Sequence, residues 1–155
     1  MTDVVTSRHV AFRAVLAALA MPGTRHRIPS TDPLALVLDA IYTDVEAALA
    51  SGGVAIASSA ISEKTIESAP VGEEMQPEAG ATLYLQVDEK TPWTRARISG
   101  PGVRGALDVD VPLSRDALDA RALACAHYPR GIDIVAIDRD ATVTALPRTT
   151  RVEAL

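Results

Sequence analysis

Thr82-Leu83-Tyr84-Leu85-Gln86-Val87 and Thr94-Arg95-Ala96-Arg97-Ile98-Ser99 are two runs of six, with Asp88-Glu89-Lys90-Thr91-Pro92-Trp93 between them. Each run alternates, which is the period of a strand with one face buried. The Asp- and Pro-containing segment 88–92 reads as a turn. The two runs are therefore expected to pair as a hairpin, with Gly100-Pro101-Gly102 closing it.

Toward the C-terminus, Ser114 can cap a helix reaching about residue 127, with Leu118, Ala122, Leu123 and Ala126 facing inward. Tyr128-Pro129-Arg130-Gly131 ends that helix. Residues 132–137 read as a strand, 138–140 as a turn and 142–146 as a further strand. Toward the N-terminus, Ser7 caps a helix running to about residue 20, with Phe12, Val15, Leu16 and Leu19 on one face. Met21-Pro22-Gly23 stops it, and residues 24–28 read as an edge strand or a loop. Thr31 or Asp32 caps the next helix, which has Pro33 in its first turn and runs to about residue 50. Leu34, Val37, Leu38, Ile41, Val45 and Leu49 form its apolar stripe. Residues 54–57 are a candidate buried strand, and a short helix is expected around 63–67 before a loop. Helices first and hairpins later favour an α/β single domain over residues 1–155, with a mixed β-sheet flanked by helices.

Composition sets outer bounds. The 155 residues are 48% apolar and 23% charged, within the globular range. Only 3% are aromatic, so the core is expected to be built from Ala, Val, Leu and Ile. Small side chains offer less area to bury, which predicts modest stability alone and a gain from oligomerisation. A net charge of −5 argues against binding nucleic acid by neutralising phosphates, but a pocket for a small anion needs only one or two arginines. One cysteine, Cys125, makes no internal disulfide, zinc site or iron–sulfur cluster, and its apolar neighbours suggest a buried, inert thiol. No apolar run reaches the ~18 residues that span a bilayer, and the N-terminus lacks a secretory pattern, so the expected location is the cytoplasm.

Four segments resemble, in order, the H subunit of the bacterial carbon–phosphorus lyase complex, the PhnH family. They are Phe12-Arg13-Ala14-Val15-Leu16 with Ala20-Met21-Pro22-Gly23, and Pro77-Glu78-Ala79-Gly80-Ala81-Thr82-Leu83 running into Gln86-Val87. The third is Ser99-Gly100-Pro101-Gly102-Val103. The fourth is Pro129-x-Gly131-Ile132-Asp133 followed by Pro147-Arg148-Thr149-Thr150-x-Val152-Glu153. The second and fourth are the specific ones. Between the second helix and Pro77 the chain is shorter than ordinary members. The resemblance implies a three-layer sandwich shaped like the large domain of PLP-dependent transferases, without PLP or another cofactor. It implies assembly with the G, I and J subunits, and a homodimer. It further implies support for attaching a phosphonate to C1′ of ATP ribose with release of adenine, before radical C–P cleavage elsewhere in the complex.

Arg148, Thr149 and Thr150 are the candidate ligand-binding residues, because an arginine and two hydroxyls can hold a phosphonate or triphosphate oxygen by charge-assisted hydrogen bonds. The competing structural reading pairs Arg148 with Asp133 or Glu78. Gly100-Pro101-Gly102 can offer backbone N–H groups to an anion, although a plain turn is simpler. Asp108 and Asp110 share one side of an extended segment and can hold Mg²⁺ or face solvent. His9, His26 and His127 show no metal-ligand spacing, and Arg13 lies on the polar side of its helix. Lys64 and Lys90 sit in polar surroundings unsuited to a Schiff base. No self-sufficient catalytic set emerges, so an enzymatic role is expected only as one subunit of a larger system.

Overall fold

The computed structural model describes the backbone of residues 25–27 and 54–58, and residues 60–140 and 142–155 in full. The two helices expected at 7–20 and 33–50 fall outside these residues. The described elements are strands β1 (Arg25–Arg27) and β2 (Val54–Ser58), helix α1 (Glu63–Glu67), strands β3 (Thr82–Gln86), β4 (Thr94–Ser99) and β5 (Ala106–Val111), helix α2 (Arg115–Ala124), and strands β6 (Asp133–Ile137), β7 (Val143–Leu146) and β8 (Arg151–Ala154). A single 3₁₀ turn, Pro77–Ala79, precedes β3.

The strands form two sheets. The first has the order β1-β2-β3-β6-β7, with β1 through β6 parallel and β7 antiparallel to β6. The second is antiparallel, in the order β5-β4-β8. The described residues are thus mixed α/β, but with two small sheets rather than the one expected. The segments read as 24–28 and 54–57 form strands at residues 25–27 and 54–58, and the former lies at an outer position among those described.

The expected hairpin between residues 82–87 and 94–99 does not form. In β3, Leu83, Tyr84, Leu85 and Gln86 are all buried, so both faces of the strand are covered. Such a strand needs parallel neighbours with helices or sheets above and below. It finds them in β2 and β6, and Val87 N–H donates to Ile137 O at 2.9 Å as the ladder ends. Tyr84 and Gln86 imitated a solvated face in the sequence but are buried in the fold. β4 keeps Arg95 and Arg97 outward and Ala96 inward, as a one-sided antiparallel strand should. The turn at 88–91 does form, closed by Asp88 N–H on Thr91 Oγ1 (2.9 Å) and Lys90 N–H on Asp88 Oδ1 (2.8 Å). It carries the chain from one sheet to the other.

Other local readings match the structure. Ser62 and Thr65 form a reciprocal capping box at α1, the helix expected at 63–67. The β6–β7 hairpin forms as expected, with Asp138 Oδ1 accepting from Asp140 and Thr142 N–H. Ser114 Oγ accepts from Ala117 N–H at 3.2 Å to start α2. This helix ends at Ala124, earlier than residue 127, and its inward face differs from the expected one. Ala117, Leu118, Ala120 and Arg121 are buried, whereas Ala122, Leu123 and Ala126 are exposed. The helix is rotated because an arginine, not Leu123, occupies the inward position.

One buried cluster joins both sheets and both helices. Leu83, Leu85 and Ile134 come from the first sheet, Ala96, Val111 and Val152 from the second, and Ile66 and Leu118 from the helices. Among the described residues no helix is long and apolar enough to cross a membrane.

Candidate functional site

After β7 the chain turns through Pro147-Arg148-Thr149-Thr150, closed by Thr150 N–H on Pro147 O at 2.8 Å, and enters β8. Arg148 is fixed at both ends. Its backbone N–H donates to Asp133 Oδ1 (2.7 Å), and its guanidinium reaches Asp133 Oδ2 through Nε (3.2 Å) and Nη2 (2.7 Å). Nη1 donates to Pro77 O (2.7 Å) and Pro129 O (3.4 Å). Of the two carboxylates the sequence offered, Asp133 is the partner, and Glu78 is exposed. The side chain of Arg148 is 15% exposed, so its charge is matched in a largely water-excluded place.

That junction accounts for two glycines. A Cβ on Gly80 would stand 2.9 Å from Arg148 Nη1 and 2.5 Å from Gly131 O. One on Gly131 would meet Arg148 Cβ at 3.0 Å. Three separate motifs, around Pro77–Gly80, Pro129–Asp133 and Pro147–Arg148, therefore meet at one guanidinium.

A second arginine was not singled out in the sequence. Arg121 projects from the last turn of α2 and is 2% exposed. It donates to three backbone carbonyls: Thr150 O from Nη1 (3.1 Å), and Leu146 O (3.2 Å) and Pro147 O (2.7 Å) from Nη2. Its Nε is buried without a partner. Burial lowers its pKa, while Cys125 and Asp133 act to raise it. The available signal was its spacing, three residues after Leu118 on the face that also carries Ala117.

Between α2 and β8 lies a cavity of about 740 Å³, within the size range of small-molecule sites. Arg121, Cys125, Arg148, Thr149, Thr150 and Arg151 contribute to its wall, so all three sequence candidates reach it. Thr149 is exposed and Thr150 is 7% exposed. Arg151 pairs with Glu153, also on the wall, at 2.7 Å. The Cys125 thiol, expected to be buried, is half-buried and donates to Ile132 O at 3.5 Å. Such a chamber, with several cations and hydroxyls, can bind an anion.

The remaining candidates are placed elsewhere, except that Pro101 also lines the cavity. Gly100-Pro101-Gly102 belongs to the β4–β5 connection, where Val103 N–H bonds Gly100 O as in a plain turn. Asp108 and Asp110 do share one side of β5, but each faces an arginine across the ladder. Arg97 holds Asp108 with two bonds of 2.7 and 3.0 Å, and Arg95 lies 3.4 Å from Asp110. The hydrogen bond from Arg97 lowers the Asp108 pKa, and the same bond raises that of Arg97. Lys64, Lys90 and His127 are exposed. His9 and Arg13 lie outside the described residues, as does the side chain of His26. Among the described residues no group of three or more His, Cys, Asp or Glu is placed to hold a metal.

Comparison with known proteins bears on this geometry. No curated protein matches the chain. The family described as bacterial phosphonate metabolism protein (PhnH) matches residues 43–153, more than two-thirds of the sequence. The matched stretch contains the whole Arg148 junction and the cavity wall, and leaves out the segment 12–23. The chain belongs to the PhnH family of bacterial phosphonate metabolism proteins.

Proposed function

We propose that this chain is a subunit of the carbon–phosphorus lyase complex in phosphonate catabolism, working with the G, I and J subunits in the cytoplasm. In this reading it supports transfer of a phosphonate to C1′ of ATP ribose, releasing adenine, before the C–P bond is cut. The family match over residues 43–153 carries the proposal. Exposed apolar side chains add support, because Leu123 on the outward face of α2 is 78% exposed and Tyr128, after the helix, 75%, area suited to contact within an assembly or a homodimer. Arg148, Thr149 and Thr150 would contribute one wall of an anion site for a phosphonate or triphosphate group. The chain would act as one domain with a sandwich like that of PLP-dependent transferases and no PLP. The exposure of Lys64 and Lys90 fits that view.

Adenine release tests the proposal. The G and I subunits and the L ATPase are incubated with ATP and methylphosphonate, with and without this chain. Release that depends on the chain is expected; equal release without it would overturn the reading.

A second reading has one observation in its favour: Arg121, Arg148, Thr149 and Thr150 reach one cavity within a single chain. The protein would then be a trimmed paralogue that binds an anion, or scaffolds, as a stand-alone homodimer. Light scattering of the isolated chain that gives only monomer mass would remove the homodimer.

A further inference from the structure

We infer that the cavity between α2 and β8 receives a –PO₃ group, phosphonyl or phosphoryl, and that buried Arg121 supplies the charge that holds it. This deepens the anion-site reading above and moves its electrostatic centre from Arg148 to Arg121.

The argument is a comparison of three arginines on one wall. Arg148 faces Asp133, and Arg151 faces Glu153, each at 2.7 Å. Among the described residues Arg121 donates only to carbonyls and no carboxylate lies within ion-pair distance of it, although Asp133 acts on it from farther away. Carbonyl dipoles orient a cation but leave its unit charge in place. The C-terminal end of α2 offsets only about half an elementary charge. A cation that is 2% exposed, with an unpartnered Nε, is an arrangement that folding alone disfavours. Uncompensated buried charge concentrates at binding sites, where the ligand completes the pairing. The cavity wall carries three arginines against one glutamate although the whole chain is at −5. The exposed Thr149 hydroxyl at its wall adds a neutral donor of the kind a phosphonyl oxygen accepts.

The competing account makes Arg121 a staple for residues 146–150 and nothing more. Ala122 separates the two, because it lines the cavity, is exposed, and takes no part in the staple. Calorimetry on the full chain at constant ionic strength would use methylphosphonate, inorganic phosphate and ATP as probes. Methylphosphonate and phosphate are expected to bind competitively, with the ATP arm reporting whether a nucleotide phosphate enters as well. Ala122→Glu, which adds a carboxylate to the wall that Arg121 also lines, should weaken binding by about tenfold or more, and clearly more than Ala122→Gln, which matches its size without the charge. Ala126→Glu repeats the test from a second exposed wall position. No binding of either small probe, or binding indifferent to both glutamates, would overturn the inference. Neither result would touch complex membership, which adenine release tests separately.

Discussion

The two sheets solve the same packing problem with different residues. In the first, β3 and β6 are covered on both faces and present Leu83, Leu85, Ile134 and Ile137 to surroundings from which water is excluded. In the second, inward Ala96, Val111 and Val152 share the core, while the outer face carries ion pairs: Arg97 with Asp108 and Arg95 with Asp110 across the β4–β5 ladder, and Arg151 with Glu153 along β8. The first sheet is held by area removed from water, at about 25 cal/mol per Å². The second has one face on that core and one in solvent, where charge pairs fix register more than they add stability. The site lies where β8, the C-terminal strand of the second sheet, meets the loop leaving the first.

The contrast is broken most severely by cutting into the first sheet. Ile134→Ala should cost about 2–5 kcal/mol in denaturant unfolding, whereas Leu107→Ala on β5, where the side chain is 51% exposed, should stay within about 0.5 kcal/mol. Comparable losses at both positions would contradict it. Next comes the junction between the sheets. Arg148→Ala leaves Asp133 without its guanidinium and frees the carbonyls of Pro77 and Pro129. Because the pair is partly exposed, a loss of about 1–3 kcal/mol is expected, and Asp133→Ala on top of it should add little. A double-mutant cycle in urea measures this. Gly100→Ala tests the β4–β5 connection. Its φ of +122° suits glycine, and a Cβ would sit 2.8 Å from Thr149 O. We expect a loss of about 1–2 kcal/mol and a smaller affinity for anions, read by thermal melts and calorimetry.

The smallest effect belongs to the solvated face. Asp108 has its pKa lowered by the hydrogen bond from Arg97, so its contribution is complete above the ordinary value of 3.8 and is lost as pH falls through the lower folded value. Asp108→Asn should therefore remove that small contribution at neutral pH, leave stability at acid pH unchanged, and so flatten the acid limb of the profile. A large loss at neutral pH would show that the outer ladder holds the sheet together.

How far the sequence was readable follows the same divide. Where residues answer to their neighbours along the chain, as in the short helix at 63–67, the Ser114 cap and the turn at 138–140, position and type are apparent directly. The alternation of β4 was also legible, because one of its faces does meet water. β3 misled, since Tyr84 and Gln86 are buried and the strand pairs with β2 and β6 rather than with β4, and this removed the expected hairpin. Helix α2 misled for a related reason. An arginine at residue 121 is normally assigned to solvent, and only the carbonyls of Leu146, Pro147 and Thr150 make its burial possible. Arg148 was legible because a carboxylate, Asp133, stood ready to be named as its partner. Arg121 was not, because its partners are backbone atoms and have no residue type to recognise.

The most direct test of the central claim is the mass of the assembly. Co-expressed with the G, I and J subunits and examined by native mass spectrometry, the chain is expected in one particle with them. Particles of the other subunits that form without it, with this chain found only free or paired with itself, would contradict the account.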